Sequence, residues 1–347
     1  MNKHDILYWL LREDVSDVER LYDQADTYRR RYVGDEVHLR GLVEVSNRCT
    51  RSCLYCGLRA PNSALVRYRM TREEILSSAR QARALGYGTV VLQGGEDPGL
   101  SGPFIADVVA DIKALGDEPE PLAVTLSLGE RSDADLRLWR QAGADRYLLR
   151  FETSNPQLFR RIHPSLPGDP SDRIAQLRRL RDMGYEIGSG AMIGVPGQSF
   201  DDLANDIMLF AELDLEMIGV GPFLPHPHTP LGTAHTAETP SQVPNSETMT
   251  YRVLALTRLA CPRANIPSTT ALATLNPARG RELGLKRGAN VVMPNLTPPK
   301  YRRLYEIYPA KACLYEPPGD FHASLLARLA AIGRRPGRGQ GGAVRET

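Results

Sequence analysis

Apolar positions in this chain recur at helical spacing over several stretches, and short β-rich runs lie between them. Thr71 and Glu74 can form a capping box ahead of an apolar stripe over residues 75–85. A second stripe over residues 249–260 ends before Pro262, which cannot continue a helix. These patterns predict amphipathic helices that pack one face against a common core.

Glycine ends four of the helical patterns, and a β-rich run follows each glycine almost at once. These residues are Gly86, Gly143, Gly184 and Gly288. Glycine adopts the left-handed conformation after a helix at little cost, and strands that alternate with helices form parallel βα units. The joints therefore predict an α/β protein with a parallel sheet.

The same alternation predicts eight strands. They span about residues 40–46, 88–93, 122–127, 146–151, 186–193, 217–222, 264–270 and 290–294. Eight parallel units favour a complete (β/α)8 TIM-type barrel, which takes roughly 250 residues. A doubly wound open sheet is the alternative, but it rarely continues through so many regular units.

The barrel accounts for residues 38–333 and leaves an extension at each end. Residues 1–37 are predicted to form one or two helices packed on the outside or the bottom of the barrel. Residues 334–347, with the sequence RRPGRGQGGAVRET, lack apolar periodicity. They are predicted to form a flexible, basic, Gly/Arg-rich tail.

Composition narrows the class of protein without deciding its function. The 347 residues include 43 Lys+Arg and 41 Asp+Glu, and the net charge of +2 gives no global field for nucleic acid or anionic membranes. No apolar run approaches the roughly 18 residues of a membrane span. The first residues, MNKHDILYWLLRED, are typical of a helix rather than an export signal. A cytoplasmic location is therefore expected.

Candidate chemistry is concentrated in the segment CTRSCLYC, which contains Cys49, Cys53 and Cys56 and follows the first predicted strand. A structural zinc site usually takes four ligands as two separated pairs, and this loop offers no fourth Cys or His. A disulfide framework does not fit an odd count of 5 Cys in 347 residues. Cys261 and Cys313 are distant and are expected to be packed thiols.

Three thiolates at this spacing can hold three irons of a cubane 4Fe-4S cluster. An electron-transfer ferredoxin would supply a fourth cysteine nearby. Without it, the fourth iron has no protein ligand and is open to a substrate or cosubstrate. The cysteine spacing therefore favours a catalytic cluster.

Polar and conformationally special residues mark the carboxyl ends of the other predicted strands, where the active sites of such barrels lie. Two glycines follow the second strand and would let the backbone approach a ligand closely, although a tight turn is the favoured explanation of such a pair taken alone. Arg146 and Arg150 share strand parity, so both point to one face, where they need anionic partners. His226 and His228 suggest a metal pair, but surface histidines are commoner than ligands, so no role is assigned to them.

In this context the ordered set of motifs resembles the radical S-adenosylmethionine (SAM) superfamily and, within it, the family of the iron–iron hydrogenase maturase HydE. The matching stretches are YVGDEVHLRGLVEVSNRC, RYRMTREEI, VVLQGGEDP, VTLSLGE, GADRYLLRFETSNP, MIGVPGQ, GVGPFLPHP, NIPSTTA, GANVVMPN and YPAKACLYE. They cover nearly the whole chain from about residue 30. Biotin synthase and methylornithine synthase share the fold and some of these motifs and are the nearest alternatives.

The resemblance implies a radical enzyme. Cys49, Cys53 and Cys56 would ligate one 4Fe-4S cluster, whose open iron would chelate SAM. Reductive cleavage of SAM would then give methionine and a 5′-deoxyadenosyl radical. The family's SAM-contacting positions correspond to Tyr55, Gln93, Ser127, Glu152, Arg173 and Met192. Glu152 suits the ammonium group of SAM, and Arg173 suits its carboxylate.

The resemblance also implies a substrate, an iron–cysteine complex with carbonyl and cyanide ligands, from which the di-iron subcluster of the hydrogenase H-cluster is assembled. The family's cavity-lining positions correspond to Thr125, Arg146, Arg150, Met217, Pro222, Leu224, Thr269, Thr270, Met293, Tyr305 and Tyr308. An anionic complex would give Arg146 and Arg150 a purpose. The alternative is a methylornithine-synthase-like or biotin-synthase-like enzyme that acts on a small amino acid or cofactor precursor.

The implied partners are SAM, an electron donor such as ferredoxin or flavodoxin, and the sister maturases HydG and HydF. HydG would deliver the complex, HydF would receive the product, and the chain is expected to be a monomer. Some relatives bind a second cluster on three C-terminal cysteines, but only Cys313 is present here, so one cluster is expected. A non-catalytic cluster carrier is the competing hypothesis of a different class.

Overall fold

Strands and helices alternate along most of the chain, as the sequence pattern predicts. The computed structural model describes residues 1–115, 121–234, 241–309, 311 and 317–344. The strands are β1 (Glu36–Ser46), β2 (Thr89–Gly94), β3 (Ala123–Ser127), β4 (Arg146–Leu148), β5 (Glu186–Ser189), β6 (Met192–Ile193), β7 (Met217–Ile218), β8 (Gly221–Pro222), β9 (Val291–Val292) and β10 (Arg335–Pro336). The helices are α1 (Lys3–Leu11), α2 (Val15–Val33), α3 (Arg72–Ala84), α4 (Gly102–Lys113), α5 (Asp133–Gln141), α6 (Pro156–Ile162), α7 (Arg173–Asp182), α8 (Phe200–Glu212), α9 (Pro230–Thr233), α10 (Glu247–Ala260), α11 (Thr270–Leu275), α12 (Gly280–Lys286), α13 (Pro299–Arg302) and α14 (Pro318–Ala331).

The parallel strands close into a barrel. β1, β2, β3, β4, β5 and β7 pair side by side in that order. Single bridges from Met217 to Asn265 and from Pro267 to Val291 continue the ring, and β9 returns to β1. The predicted complete barrel is confirmed, although the seventh strand, expected over 264–270, is reduced to isolated bridges.

The local signals seen in the sequence are present in the structure. Thr71 and Glu74 form the reciprocal capping box of α3. The glycines at the four predicted joints all have positive φ, from 75° at Gly86 to 114° at Gly288. A residue with a Cβ adopts that conformation only at a cost. The glycines therefore let each helix end abruptly before the next strand.

Two helices precede the barrel, as predicted for residues 1–37, although β1 already begins at Glu36. α1 packs against α8 and α10, and α2 packs against α10. The Arg287 guanidinium lies 4.3 Å from the ring centroids of both Tyr22 and Tyr251. The extension therefore covers part of the outer helix layer. No helix in the described ranges is long and apolar enough to cross a membrane.

The C-terminal segment packs across the amino-terminal end of the barrel, which we call the floor. β10 pairs with the first residues of β1. The carbonyl of Gln340 accepts hydrogen bonds from Thr89 Oγ1 at 2.8 Å and from Arg146 Nη2 at 3.1 Å. The carbonyl of Gly341 accepts one from Arg40 Nη2 at 2.9 Å. The segment binds the barrel mainly through its backbone.

This packing corrects the expectation of a flexible tail from residue 334. Apolar periodicity is absent because the backbone carbonyls of Gln340 and Gly341, rather than apolar side chains, make many of the contacts. A Cβ at Gly88 would lie 1.8 Å from the carbonyl oxygen of Gly339, so a larger residue there would displace the segment. Residues 334–344 therefore form part of the barrel, and residues 345–347 lie outside the described ranges.

Candidate active site at the carboxyl ends of the strands

The loop after β1 carries the three cysteines, and hydrogen bonds hold it from several sides. The backbone N–H groups of Thr50, Leu54 and Gly57 donate to carbonyls of the loop after β2, of α6 and of the segment after α13, at 3.0, 2.8 and 3.1 Å. The Arg67 guanidinium donates to four further carbonyls at 2.7 to 3.2 Å. The loop conformation is therefore fixed largely without the cysteine side chains.

Cys49, Cys53 and Cys56 are free cysteines whose charges are close enough to interact. Among the described residues, the three sulfur atoms do not all lie within 4.8 Å of one another, whereas a tetrahedral zinc site would bring thiolates to roughly 3.8 Å. Burial raises the pKa of Cys56 to about 12 and also raises the pKa values of Cys49 and Cys53. Cys53 is buried and Cys49 and Cys56 are half-buried. All three therefore need a bound cationic centre if they are to ionise to thiolates.

A buried ion network lies beside Cys53. His163 is fully buried, and its Nδ1 lies 2.9 Å from Cys53 Sγ. Nε2 of His163 lies 3.1 Å from Glu130 Oε1, to which Arg173 Nε donates at 2.9 Å. Burial alone would raise the pKa of Glu130, but the hydrogen bond to His163 and the charge of Arg173 lower it well below its usual range. Arg51 Nη2 adds an ion pair to Glu130 at 3.4 Å.

Glu96 extends this network on the loop after β2. It pairs with Arg51 and, at 3.4 Å, with Arg173. Glu96, Glu130 and His163 are close enough together to hold a metal ion. Two guanidinium groups already occupy the carboxylates, so the arrangement is an ion network rather than a metal site.

Glu152 follows β4 with a φ of 65°, which is uncommon for a residue other than glycine. Hydrogen bonds fix its backbone, since its N–H donates to Gly190 at 3.0 Å and its carbonyl accepts from Met192 at 2.9 Å. Arg150 Nη2 lies 3.1 Å from Oε2, and the Tyr55 hydroxyl lies 3.5 Å from Oε1. The Arg150 contact lacks hydrogen-bond alignment, and Oε2 has no hydrogen-bond partner among the described residues. The carboxylate therefore keeps acceptor capacity for a cationic group.

Two further predicted SAM contacts join this group. Tyr55 and Met192 share a small apolar cluster, whose other members are Leu158, Ile162, Val195, Phe223 and Leu231. Arg173 Nη1 donates to the carbonyl of Arg150 at 2.8 Å, which connects the group to the ion network. The structure thus brings together Tyr55, Glu152, Arg173 and Met192 with the predicted substrate contact Arg150.

Gln93 and Ser127 lie on neighbouring strands nearby. The register of β2 and β3 sets Gln93 opposite Ser127, and Gln93 Nε2 donates to the Tyr305 hydroxyl at 3.2 Å. Lys311 Nζ lies 5.0 Å from the Tyr305 ring and pairs with Glu44 of β1. Tyr305 is 2% exposed, so its hydroxyl is held inside the barrel.

Arg146 and Met217 lie at the floor, contrary to the expectation that they line one site with Arg150. Arg146 is the first residue of β4, and its Nε donates to Glu186 Oε2 at 2.5 Å. Met217 Sδ lies 3.0 Å from Arg40 Nη1. At the strand rise of roughly 3.3 Å per residue, four positions separate Arg146 from Arg150 by up to about 13 Å. Shared parity predicts the face of a strand but not the layer within the barrel.

The remaining predicted cavity residues lie on the inner strands and the loops that follow them. Thr125 of β3 is buried, and its Oγ1 has no hydrogen-bond partner in the described chain. Thr269 caps α11, and a Cβ at Gly221 would lie 3.3 Å from its Oγ1, so Thr269 adjoins β8 and Pro222. The partly buried positions are Leu224, Thr270, Met293 and Tyr308.

The sequence analysis missed His163 and Arg51 as neighbours of the cysteines. Arg51 lies inside the cysteine segment, but His163 follows α6 without a motif around it. His226 is buried, and its Nδ1 accepts a hydrogen bond from the backbone N–H of His228 at 3.1 Å, which is a structural role. Cys261 is a buried free cysteine, as expected, and Cys313 lies outside the described residues.

Comparisons with known proteins decide the family. The model of the Radical SAM superfamily matches residues 43–210. The [FeFe] hydrogenase maturase subunit HydE of Thermotoga maritima is 47% identical over 327 residues, which cover 94% of this chain and 89% of that protein. The chain belongs to the HydE family of radical SAM enzymes. That family implies a 4Fe-4S cluster and SAM.

More distant relatives of this HydE-family chain share the fold. The 3-methylornithine synthase of Methanosarcina barkeri is 27% identical over 341 residues, covering 97% of this chain and 91% of that protein. The crystal structure of methylornithine synthase (PylB) superposes with a TM-score of 0.81 at 27% identity, over 97% of this chain and 94% of that one. The crystal structure of the hydrogenase maturase HydG superposes with a TM-score of 0.77 at 18% identity, over 97% of this chain and 72% of that one. At that identity the likeness supports the fold alone.

Proposed function

We propose that this HydE-type enzyme holds one 4Fe-4S cluster on Cys49, Cys53 and Cys56 and uses it in the maturation of FeFe-hydrogenase. The observation that carries the proposal is the hydrogen-bonded loop, which presents one buried and two half-buried cysteines near a carboxylate with spare acceptor capacity. The cluster would supply the single electron that cleaves the sulfonium of SAM. The protein's own part is to bind, orient and exclude water.

Glu152 is proposed to accept a hydrogen bond from the ammonium group of SAM. Its strained, doubly hydrogen-bonded backbone fixes the carboxylate, and Oε2 has no competing hydrogen bond among the described residues. Tyr55 and Met192 offer an apolar surface beside it for the adenosyl part. Gln93 and Ser127, opposite each other on β2 and β3, complete the proposed SAM contacts.

Arg173 is proposed to act on the SAM carboxylate mainly through its charge. Its Nε, Nη1 and Nη2 already contact Glu130, Arg150 and Glu96. A bidentate fork to a new carboxylate would break some of these contacts. Burial alone would lower the pKa of Arg173, but Tyr55 and the surrounding carboxylates raise it above its ordinary value, so the guanidinium stays charged.

The proposed substrate is an iron–cysteine complex with carbonyl and cyanide ligands. The 47% identity to the [FeFe] hydrogenase maturase subunit HydE of Thermotoga maritima supports a role in hydrogenase maturation, and the iron complex is the substrate that the family resemblance implies. Arg150, which is 34% exposed at its side chain, is the predicted arginine that lies beside the SAM group and can meet an anionic complex. Thr269, Thr270, Tyr305 and the other predicted cavity residues above the floor remain proposed contacts. HydG, HydF and a soluble electron donor remain predicted partners.

A single anaerobic experiment tests the proposal. Reconstituted enzyme with dithionite and SAM should release 5′-deoxyadenosine, and the iron–cysteine complex should increase that release and be consumed. Cys53→Ser is the control, because two thiolates rarely hold a stable cubane, so it should lose both the 4Fe-4S EPR signal and the product. An intact cluster that yields no 5′-deoxyadenosine would favour the carrier hypothesis. Turnover of an amino acid in place of the complex would favour a methylornithine-synthase-like enzyme.

A further inference from the structure

Four arginines surround the outer side of the cysteine loop, and we call them the basic rim: Arg48, Arg59, Arg67 and Arg303. Arg48 directly precedes Cys49. Arg59 Nη2 donates to the carbonyl of Ser52, inside the loop, at 3.3 Å. Arg67 donates to carbonyls on both sides of the cysteine segment.

Hydrogen bonds bring the separate segments of the basic rim together. Asn47 Nδ2 donates to the carbonyls of Val66 and Leu304, at 2.8 and 2.7 Å. These bonds place Arg67 and Arg303 next to the residue that leads into the loop. Val66 is 66% exposed between them, so the rim combines positive charge with an accessible apolar contact.

Within the residues that the structure describes, no carboxylate pairs with the basic rim. None of its four guanidinium groups lies within ion-pair distance of a carboxylate in the described part of the chain. Arginines on the outer helices differ, as Arg178 and Arg179 pair with Glu212 and Asp133 at 3.1 Å each. Uncompensated like charges at one place raise the local potential and attract an oppositely charged partner.

Arg67 interacts electrostatically with Cys49 and Cys56, so its charge can also offset that of these two cysteines when they ionise. That role does not extend to Arg48 and Arg303, which are exposed to solvent. Their positions are explained by a partner outside the protein.

We propose that the basic rim is the docking surface for a one-electron carrier protein with an acidic face. This inference rests on the proposed function, in which each SAM cleavage takes one electron from outside. The reduced carrier loses one electron, the cluster gains it, and no proton or bond changes place. Electron-transfer encounters use small, transient interfaces, which suits a rim of a few charges around one apolar residue.

The test compares two charge-reversed variants with the same net charge. Arg48→Glu/Arg303→Glu alters the basic rim, and Arg137→Glu/Arg178→Glu alters the outer faces of α5 and α7. Reduced ferredoxin and flavodoxin hydroquinone serve as acidic probes, and photoreduced 5-deazariboflavin, which is neutral, serves as the small reductant. Stopped-flow absorbance at low and high salt follows cluster reduction.

We expect the rim variant to be reduced by the protein donors at least about tenfold more slowly at low salt, with a weaker salt dependence. The outer-helix variant should stay within about twofold of the unaltered enzyme. Deazaflavin reduction, iron content and 5′-deoxyadenosine release with deazaflavin should be equal in all three. The milder Arg48→Gln/Arg303→Gln variant provides the same comparison if charge reversal prevents folding.

Equal slowing of both variants, or no slowing of either, would overturn the docking surface. Failure of both acidic carriers to reduce the unaltered enzyme would overturn the class of partner. Loss of 5′-deoxyadenosine with deazaflavin in the unaltered enzyme would instead contradict the proposed function, so the two failures are distinguishable.

Discussion

His163 directs its Nδ1 at Cys53 Sγ over 2.9 Å, while its Nε2 lies 3.1 Å from Glu130 Oε1. A fully buried imidazole therefore connects a cysteine of the loop to the ion network of Glu130, Arg173 and Glu96. Hydrogen bonds to cluster sulfurs are one of the ways in which a protein sets a reduction potential. The contact makes His163 a positioning residue for Cys53.

In the tautomer with the proton on Nδ1, the imidazole donates to the Cys53 sulfur and Nε2 accepts from Arg173 Nη2 at 3.2 Å. For that tautomer, His163→Ala removes a donor to the sulfur, so the reduction potential of the reconstituted cluster is expected to become more negative. A redox titration followed by EPR measures the potential. The amide of His163→Gln can still donate, so the reduction potential of this variant should lie between those of His163→Ala and the unaltered enzyme. Equal potentials in the Ala variant and the unaltered enzyme would show that the contact does not act on the cluster.

Glu152→Ala is expected to weaken SAM binding by about 1.5–3 kcal/mol, the usual contribution of a hydrogen bond to a charged group. Isothermal titration calorimetry with the reconstituted enzyme measures the change. Glu152→Gln keeps an acceptor oxygen but loses the charge, so it should weaken SAM binding less than Glu152→Ala does. An Ala variant with undiminished SAM affinity would remove Glu152 from the SAM site.

Arg146→Met and Arg150→Met should have different effects, although the sequence pairs these residues. Arg146→Met leaves Glu186 without its partner, and because that carboxylate is 25% exposed, we expect a loss of about 1–3 kcal/mol in the free energy of unfolding. Urea denaturation measures this free energy, and adding Glu186→Gln to Arg146→Met should restore part of the lost stability. Arg150→Met should change stability little and should reduce turnover of the iron complex while sparing 5′-deoxyadenosine release.

The opposite outcome has a clear meaning. If Arg146→Met were as stable as the unaltered enzyme, the floor contacts would be energetically unimportant. If Arg150→Met abolished SAM cleavage and substrate turnover equally, its role would be in the SAM group rather than at the substrate.

Asp206 should give stability a distinctive pH dependence. Burial raises its pKa from 3.8 to about 7, although its oxygens accept hydrogen bonds from Ser154 and Gln198. Between these pH values the folded protein binds a proton that the unfolded chain has released, so the Asp206 contribution to stability falls as pH rises. The free energy of unfolding, relative to that of Asp206→Asn, should therefore decrease from about pH 4 to about pH 7. A pH-independent difference would contradict the raised pKa.

The barrel could be predicted from sequence because glycine joints and strand-helix alternation are local signals. The position of each side chain along the barrel axis could not be predicted, because strand parity places Arg146 and Arg150 on one face without saying which end of the barrel each is near. The cysteine loop was recognisable because its ligands lie within eight residues. His163, in contrast, reaches Cys53 across 110 residues of sequence, and only the folded chain shows that the two meet.

The C-terminal segment that packs across the barrel floor also has a consequence for assembly. The hydrogen bond from Arg40 to Gly341 spans 301 positions, so loop closure over nearly the entire polypeptide must precede it. The lower opening of the cylinder is therefore expected to shut late in folding, after the strand ring exists. Until then the interior of the barrel is expected to stay open to water from below.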